Sequence, residues 1–192
     1  MKTTLKNIKG IYGVMLLCSV VFLIRCGNPM SEQTQQAVPE DSTAQFASEN
    51  QVAETPDVTF RDENGKIVRL KDLRGKVVFI NFWATWCGPC VAEMPSIDQL
   101  KATFKGSEDI VFMLVDVDGD LKRSKSFMAK NKYNLPVFTA ESAIPSDYLG
   151  GAIPTTVVLD KKGELVVRAE GGRDYMSPGI KKALTDLVRM PN

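Results

Sequence analysis

Residues 82–90 of this 192-residue chain are Phe-Trp-Ala-Thr-Trp-Cys-Gly-Pro-Cys. The apolar run over 76–82 that leads into them predicts a buried strand, and the helical spacing of apolar residues over 91–105 predicts an amphipathic helix after them. Both cysteines of residues 56–192, Cys87 and Cys90, lie in this stretch. The sequence therefore predicts a Cys-x-x-Cys pair at the junction of a strand and a helix.

The sequence disfavours three other roles for this cysteine pair. A disulfide between positions so close together would restrict the unfolded chain very little. A zinc site would need further ligands, and the chain has no histidine and no second Cys-x-x-Cys pair. Haem attachment requires a histidine directly after the second cysteine, where Val91 stands. A redox-active dithiol is the interpretation that remains.

The two cysteines have different predicted roles. If the helix begins at about Cys87, its unpaired N–H groups and the positive end of the helix dipole favour the thiolate of that residue, which makes it the nucleophile. Cys90 lies about one turn later and is placed to attack a mixed disulfide from within the protein. Pro89 costs no helical hydrogen bond in the first turn, whereas Pro95 is expected to kink the helix.

The rest of the chain after residue 56 alternates predicted strands and helices. Strands over 58–61 and 67–70 flank an Asn-Gly turn and predict a hairpin. Further strands are predicted over 110–115, 155–160 and 164–168, and further helices over 124–132 and 180–188. This alternation indicates an α/β domain, and the terminal hairpin makes its sheet mixed rather than purely parallel.

The first 26 residues have the pattern of a targeting segment. Three lysines precede an uncharged apolar stretch over 10–24, which is followed by Arg25-Cys26. The stretch is shorter than the roughly 20 apolar residues that a transmembrane helix needs. The pattern resembles a bacterial lipoprotein signal, which implies lipidation of Cys26. Arg25 departs from the small residue that such signals carry before the cysteine, and an uncleaved membrane anchor is the alternative.

Residues 27–55 differ in composition from the domain that follows. They contain five acidic residues, no basic residue and one aromatic residue, Phe46. Such a segment buries too little apolar surface to offset its ordering entropy, so we predict a disordered tether with a reach of roughly 30 Å. The whole chain carries 24 basic and 23 acidic residues, and it has no basic stripe that would indicate nucleic-acid binding.

The segment 82–90 looks like the active-site segment of the thioredoxin superfamily. The longer stretch 81–95, together with Gly-Ala-Ile-Pro-Thr-Thr over 151–156, resembles its membrane-tethered branch, the TlpA/ResA/CcmG-like thiol-disulfide oxidoreductases. The resemblance covers residues 56–192. It implies an α/β thioredoxin-like fold, with a central mixed β-sheet flanked by helices, an added N-terminal β-hairpin, and Pro154 in cis opposite the dithiol.

The resemblance also implies the residues of the active site. They are Cys87, Cys90 and Glu93 for catalysis, and Trp86, Gly88, Pro89, Ile153 and Pro154 for substrate binding. A cis proline would leave the backbone of Ile153 free to pair with an extended substrate. From the residues alone, the Ile-Pro-Thr segment could equally be an ordinary loop, because few X-Pro bonds are cis.

Glu93 is the predicted proton acceptor for the inner cysteine. Ordinary thioredoxins carry a buried aspartate where this chain has Asn81. Glu93 follows Cys90 by three residues, which places both on one helix face, and the tethered branch has a glutamate at the matching position. The alternative is a solvent-exposed helical glutamate.

The resemblance implies a membrane-attached protein-disulfide reductase on the extracytoplasmic, periplasmic side. Its substrates would be disulfide-containing proteins, with apocytochrome c as one of them, and a membrane thiol electron donor would re-reduce it. No metal, flavin or nucleotide cofactor is indicated. One alternative is a peroxiredoxin-type peroxidase, whose Pro-x-x-x-Thr-x-x-Cys motif is missing. The other is a metal chaperone or binding lipoprotein, which would have a Cys-x-x-x-Cys motif with a distant histidine or a degraded dithiol, and this chain has neither.

Overall fold

The computed structural model describes residues 57–191. In chain order the elements are β1 (Thr59–Asp62), β2 (Ile67–Arg69), a 3-10 helix (Leu70–Leu73), β3 (Val77–Trp83), α1 (Gly88–Thr103), β4 (Ile110–Asp116), α2 (Leu121–Asn131), β5 (Val137–Ala140), β6 (Thr155–Leu159), β7 (Leu165–Glu170) and α3 (Pro178–Arg189). The predicted targeting segment, the tether and Cys26 lie outside the described residues. Within 57–191, no helix is long and apolar enough to cross a membrane.

All seven strands belong to one mixed sheet with the order β2-β1-β5-β4-β3-β6-β7. The central pairs β3–β4 and β4–β5 are parallel. All other neighbouring pairs are antiparallel: β3–β6 and β6–β7 on one side of the sheet, and β5–β1 and β1–β2 on the other. The predicted mixed α/β sheet and its N-terminal hairpin are therefore confirmed.

Strand β3 lies at the centre of the sheet and is buried along its whole length. Its odd-numbered residues Val77, Phe79 and Trp83 pack in a cluster with apolar side chains from all three helices. Its even-numbered residues Val78, Ile80 and Phe82 belong to a second cluster on the other face, which connecting segments rather than α-helices close. Burial on both faces explains why this strand is apolar in the sequence at every position except Asn81.

Two differences from the sequence-based expectations concern elements near the sheet. Strand β5 was not predicted, although it joins the hairpin strand β1 to the parallel part of the sheet. Helix α1 begins at Gly88, earlier than the apolar pattern over 91–105 indicates, and it includes Pro95. Its start directly after Cys87 brings the dithiol to the helix N-terminus.

Candidate active site

Cys87 is the N-cap residue of α1, and it forms a disulfide with Cys90. The backbone N–H of Cys90 donates a hydrogen bond to Cys87 Sγ, with a separation of 3.3 Å. Cys87 retains 5% exposure, whereas Cys90 is completely buried. Because Cys87 caps the helix and Cys90 lies behind it, the two sulfurs differ both in electrostatic environment and in access.

The exposed aromatic residue beside the dithiol is held by the loop after β4. Trp86 is 66% exposed, and its indole N–H donates to Asp118 Oδ2 at 2.8 Å. The N–H of Asp118 in turn donates to the buried carboxylate of Asp116 at 3.0 Å. Trp83, by contrast, is fully buried in the core. The sequence analysis did not identify Asp118, since its partner lies 32 residues away along the chain.

The Ile153–Pro154 peptide bond is cis, as expected from the resemblance. Strand register pairs Thr155 with Phe82, so Pro154 lies beside the end of β3 from which the dithiol loop departs. The carbonyl of Pro154 accepts a hydrogen bond from the N–H of Gly171 at 2.8 Å. The structure thus brings the proline segment and the loop after β7 to the end of the sheet that carries Cys87.

Glu93 is buried on the inner face of α1 and is only 3% exposed. Its Oε1 accepts a hydrogen bond from Asn81 Nδ2 at 2.7 Å, and its Oε2 accepts one from the backbone N–H of Arg173 at 3.2 Å. Burial raises the pKa of Glu93 to about 7, and these two hydrogen bonds oppose that rise. The structure excludes the alternative of a solvent-exposed helical glutamate.

Asn81 extends this contact into a buried polar chain. Its Nδ2 also donates to Thr156 Oγ1 at 2.9 Å, and the hydroxyl of Thr156 is hydrogen-bonded to that of Tyr175. Burial and, to a lesser degree, the charge of Glu93 raise the pKa of Tyr175. This series of hydrogen bonds connects α1, β3, β6 and the segment before α3. Thr156 lies in the quoted proline motif, whereas no sequence signal identified Tyr175.

Residues 171–173, here called the strap, lie against the dithiol loop. The main chain of Gly172 approaches Pro89 so closely that an added Cβ would lie 3.2 Å from the Pro89 carbonyl oxygen. The guanidinium of Arg173 donates to the carbonyls of Glu170 and Gly171, at 2.7 and 3.4 Å. Between the strap and α1 lies an open groove of about 620 Å³, and Glu93 lines it. The buried carboxylate therefore borders a route to solvent.

Residues 50–184 match the family model described as Redoxin. The chain belongs to the Redoxin family. Among relatives of this redoxin, the thiol-disulfide oxidoreductase ResA of Bacillus cereus is 31% identical over 158 residues, which cover 82% of this chain and 88% of that protein. The match identifies the chain as a thiol-disulfide oxidoreductase of the TlpA/ResA-like group.

Solved structures agree with the family assignment. A thiol:disulfide interchange protein of the thioredoxin family from Chlorobium tepidum has a TM-score of 0.56 and 27% identity, covering 70% of this redoxin and 96% of that chain. The exposed lipoprotein thioredoxin of Streptococcus pneumoniae has a TM-score of 0.52 and 28% identity, covering 68% and 96% respectively. These likenesses confirm the thioredoxin-like fold.

Proposed function

We propose that this redoxin is an extracytoplasmic protein-disulfide reductase that acts through Cys87 and Cys90. The observation that carries the proposal is the asymmetry of the pair: Cys87 caps α1 and retains exposed surface, whereas Cys90 has none. Thiol-disulfide exchange needs an accessible attacking thiolate and a second thiol that can reach the first from inside. This arrangement meets both requirements.

The reaction proceeds in two exchange steps. The thiolate of Cys87 attacks one sulfur of a substrate disulfide, which forms a mixed disulfide and releases the other substrate sulfur as a thiolate. Cys90, after losing its proton, attacks Cys87 Sγ and releases the second substrate sulfur. The substrate gains two electrons and takes up two protons. The enzyme loses two electrons and ends with the Cys87–Cys90 disulfide seen in the structure.

Glu93 is proposed to accept the proton of Cys90 in the second step. It lies three residues after Cys90 on the same helix, is buried, and has a pKa near the physiological range. The groove beside it offers a path for the proton to solvent. Ordinary thioredoxins carry a buried aspartate at the position of Asn81. In this chain Asn81 cannot accept the proton, and it donates a hydrogen bond to Glu93.

The substrate-binding surface is proposed to consist of Trp86, Gly88, Pro89, Ile153 and Pro154 around Cys87. Trp86 presents an exposed ring, and no Cβ fills the space over Gly88. Within the described residues, the main chain of Ile153 makes no hydrogen bond. Its N–H and C=O can therefore pair with an extended substrate segment that carries the disulfide, as in β-augmentation.

Direction and location rest on the sequence. Gly-Pro between the cysteines resembles thioredoxin, whose potential of about −270 mV favours reduction of substrates. A lipid at Cys26 and the tether 27–55 would hold the domain on the outer side of a membrane, and a thioredoxin of Streptococcus pneumoniae is an exposed lipoprotein. A membrane thiol donor would then re-reduce the dithiol. Disulfide-containing apocytochrome c is one proposed substrate.

Cysteine variants test the proposal. Cys90→Ser should accumulate covalent complexes with substrate proteins that dithiothreitol reverses, because the second attacking thiol is gone. Cys87→Ser should accumulate few such complexes, and neither variant should sustain insulin reduction. Complexes that form equally through Cys90 would overturn the assigned roles, and sustained turnover by either variant would overturn the dithiol mechanism.

A further inference from the structure

Tyr175, Thr156, Asn81 and Glu93 form a buried series of hydrogen bonds. Which group donates in each bond affects whether the Glu93 carboxyl group is stabilised in its charged or its protonated form. We propose that Tyr175 is a positioning residue, which acts through Thr156 to hold the amide of Asn81 with its NH₂ group toward Glu93. The inference deepens the proposed function, because it rests on Glu93 as the proton acceptor. It rests on the hydrogen-bond geometry of Tyr175, Thr156, Asn81 and Glu93.

The amide of Asn81 could face Glu93 with either of its two ends. An NH₂ group stabilises the carboxylate, whereas a carbonyl oxygen stabilises the protonated acid. In the structure both amide hydrogens are used, one on Glu93 Oε1 at 2.7 Å and one on Thr156 Oγ1 at 2.9 Å. Asn81 Oδ1 is buried and accepts no hydrogen bond from the described residues. The observed orientation is therefore the one suited to a charged Glu93.

Thr156 decides which orientation of Asn81 is stable. A hydroxyl has one proton to donate and two lone pairs to accept with. Because Thr156 Oγ1 accepts from Asn81, its own proton is available for Tyr175, to which it is hydrogen-bonded. Either hydroxyl can donate in this hydrogen bond, and we infer the direction from Asn81 to Thr156 to Tyr175, in which Thr156 donates to the phenol oxygen. In this direction the phenol oxygen of Tyr175 accepts the Thr156 proton, so Thr156 does not donate it to Asn81.

Loss of the Tyr175 hydroxyl would free that proton. Thr156 could then turn and donate to Asn81 Oδ1, which favours the flipped amide and a protonated Glu93. The other charged or titratable groups around Glu93 are few. Arg173 and Asp174 lie in the segment before α3 and line the groove beside it. The two cysteines of α1 do not titrate while they are joined. None of these groups changes in a Tyr175→Phe variant.

Carbon-13 NMR of the Glu93 carboxyl group tests the inference directly. Full-length oxidised protein in detergent is titrated from pH 4 to 10, and the wild-type midpoint is expected near 7. Tyr175→Phe and Thr156→Val should each raise the midpoint by roughly 0.5–1 in pH, the size expected for one weakened hydrogen bond. Thr156→Ser keeps the hydroxyl and should restore a midpoint close to the wild-type value.

Tyr148→Phe is the matched control. Tyr148 is as buried as Tyr175, at 5% against 3% exposure, but it lies in the cluster on the opposite face of the sheet. An unchanged midpoint in Tyr175→Phe, or an equal rise in Tyr148→Phe, would overturn the inference. The NMR midpoint does not depend on catalysis and tests only the positioning role of Tyr175. The exchange rate of Glu93→Gln tests the proton-transfer role of Glu93. The two hypotheses can therefore fail independently.

Discussion

The main chain of Gly172 approaches Pro89, between the two cysteines, so closely that a Cβ on Gly172 would lie 3.2 Å from the Pro89 carbonyl oxygen. This close approach places the strap beside the N-terminus of α1. From that position the next residue, Arg173, donates its backbone N–H to Glu93. The strap therefore lies beside both the dithiol loop and the buried carboxylate, and a side chain at position 172 would crowd the dithiol loop.

Gly172→Ala should displace the strap. The added Cβ would lie 3.2 Å from the Pro89 oxygen, closer than most such contacts, and overpacking of this kind costs about 1–2 kcal/mol of the free energy of unfolding. Urea unfolding measures the loss, and insulin reduction should slow a few-fold. Gly179→Ala is the control, because apart from its chain neighbours and the backbone of its own helix no heavy atom of the described residues lies within 4 Å of the added Cβ. Equal unfolding free energies for the two variants would contradict the expectation.

Glu93 should make the stability of the oxidised protein fall with rising pH. Its pKa is about 7 in the folded chain and 4.5 for an unperturbed glutamate, so between those values the folded state keeps a proton that the unfolded state has released. The free energy of unfolding should therefore decrease from pH 4.5 to pH 7, by up to about 3 kcal/mol, and change no further above that range. Denaturant unfolding at pH 5 and pH 8 measures the difference.

Glu93→Gln should remove most of this pH dependence, because the amide does not titrate. Glu108→Gln, at an exposed glutamate, should leave the wild-type pH dependence in place. If the two variants retained the same dependence, the fall would come from other groups.

The same substitution should slow catalysis at one step. Without a proton acceptor, Glu93→Gln should form mixed disulfides through Cys87 at nearly the wild-type rate but resolve them at least tenfold more slowly near neutral pH. Rapid-quench analysis with a disulfide peptide separates the two steps, and the thiol titration of the reduced variant should also change. A pH–rate profile identical to that of the wild type would rule out the proton-transfer role.

Asn81→Asp should destabilise the protein in a pH-dependent way. It would place a second carboxyl group about where Asn81 Nδ2 now lies, 2.7 Å from Glu93 Oε1, and two buried carboxylates at that distance cannot both ionise. We expect a loss of about 3 kcal/mol or more at pH 8 and a smaller loss at pH 5, measured by urea unfolding. Asn64→Asp, in the exposed hairpin turn, should show neither effect.

The membrane attachment is tested at Cys26. Metabolic labelling with a fatty-acid analogue should label the wild-type chain and should not label Cys26→Ala. The cysteines of the dithiol provide the control, since Cys87→Ser should be labelled like the wild type. Absence of label from the wild type would favour an uncleaved membrane anchor instead.

The parts of the fold that the sequence predicted are those with strong local signals. The buried run of β3, the Asn-Gly hairpin and the Cys-Gly-Pro-Cys junction each depend on residues adjacent in the chain. Strand β5 has four residues directly after Pro136 and no alternating pattern. Its pairing with β1 and β4 comes from tertiary context, which local propensity does not encode.

The active site divides in the same way. Cys87, Cys90 and Glu93 were predicted from spacing within one helix and from the resemblance. Tyr175 and Gly172 were not predicted, because their neighbours in the site are distant along the chain: Tyr175 is linked to Glu93 through Thr156 and Asn81, and Gly172 lies close to Pro89. Tyrosine and glycine are also common in ordinary core and turn positions, so their residue types alone indicate no function.

The low exposure of Cys87 would limit which disulfides can react with it under the proposed mechanism. An attacking sulfur must approach in line with the bond that breaks, and in the disulfide form the residue Cys87 is 5% exposed whereas Cys90 is completely buried. A disulfide enclosed in a folded protein cannot reach that point, whereas one in an unfolded or protruding segment can. Under the proposed mechanism, we therefore expect the enzyme to reduce disulfides in chains that have not yet buried their cysteines faster than those in folded proteins.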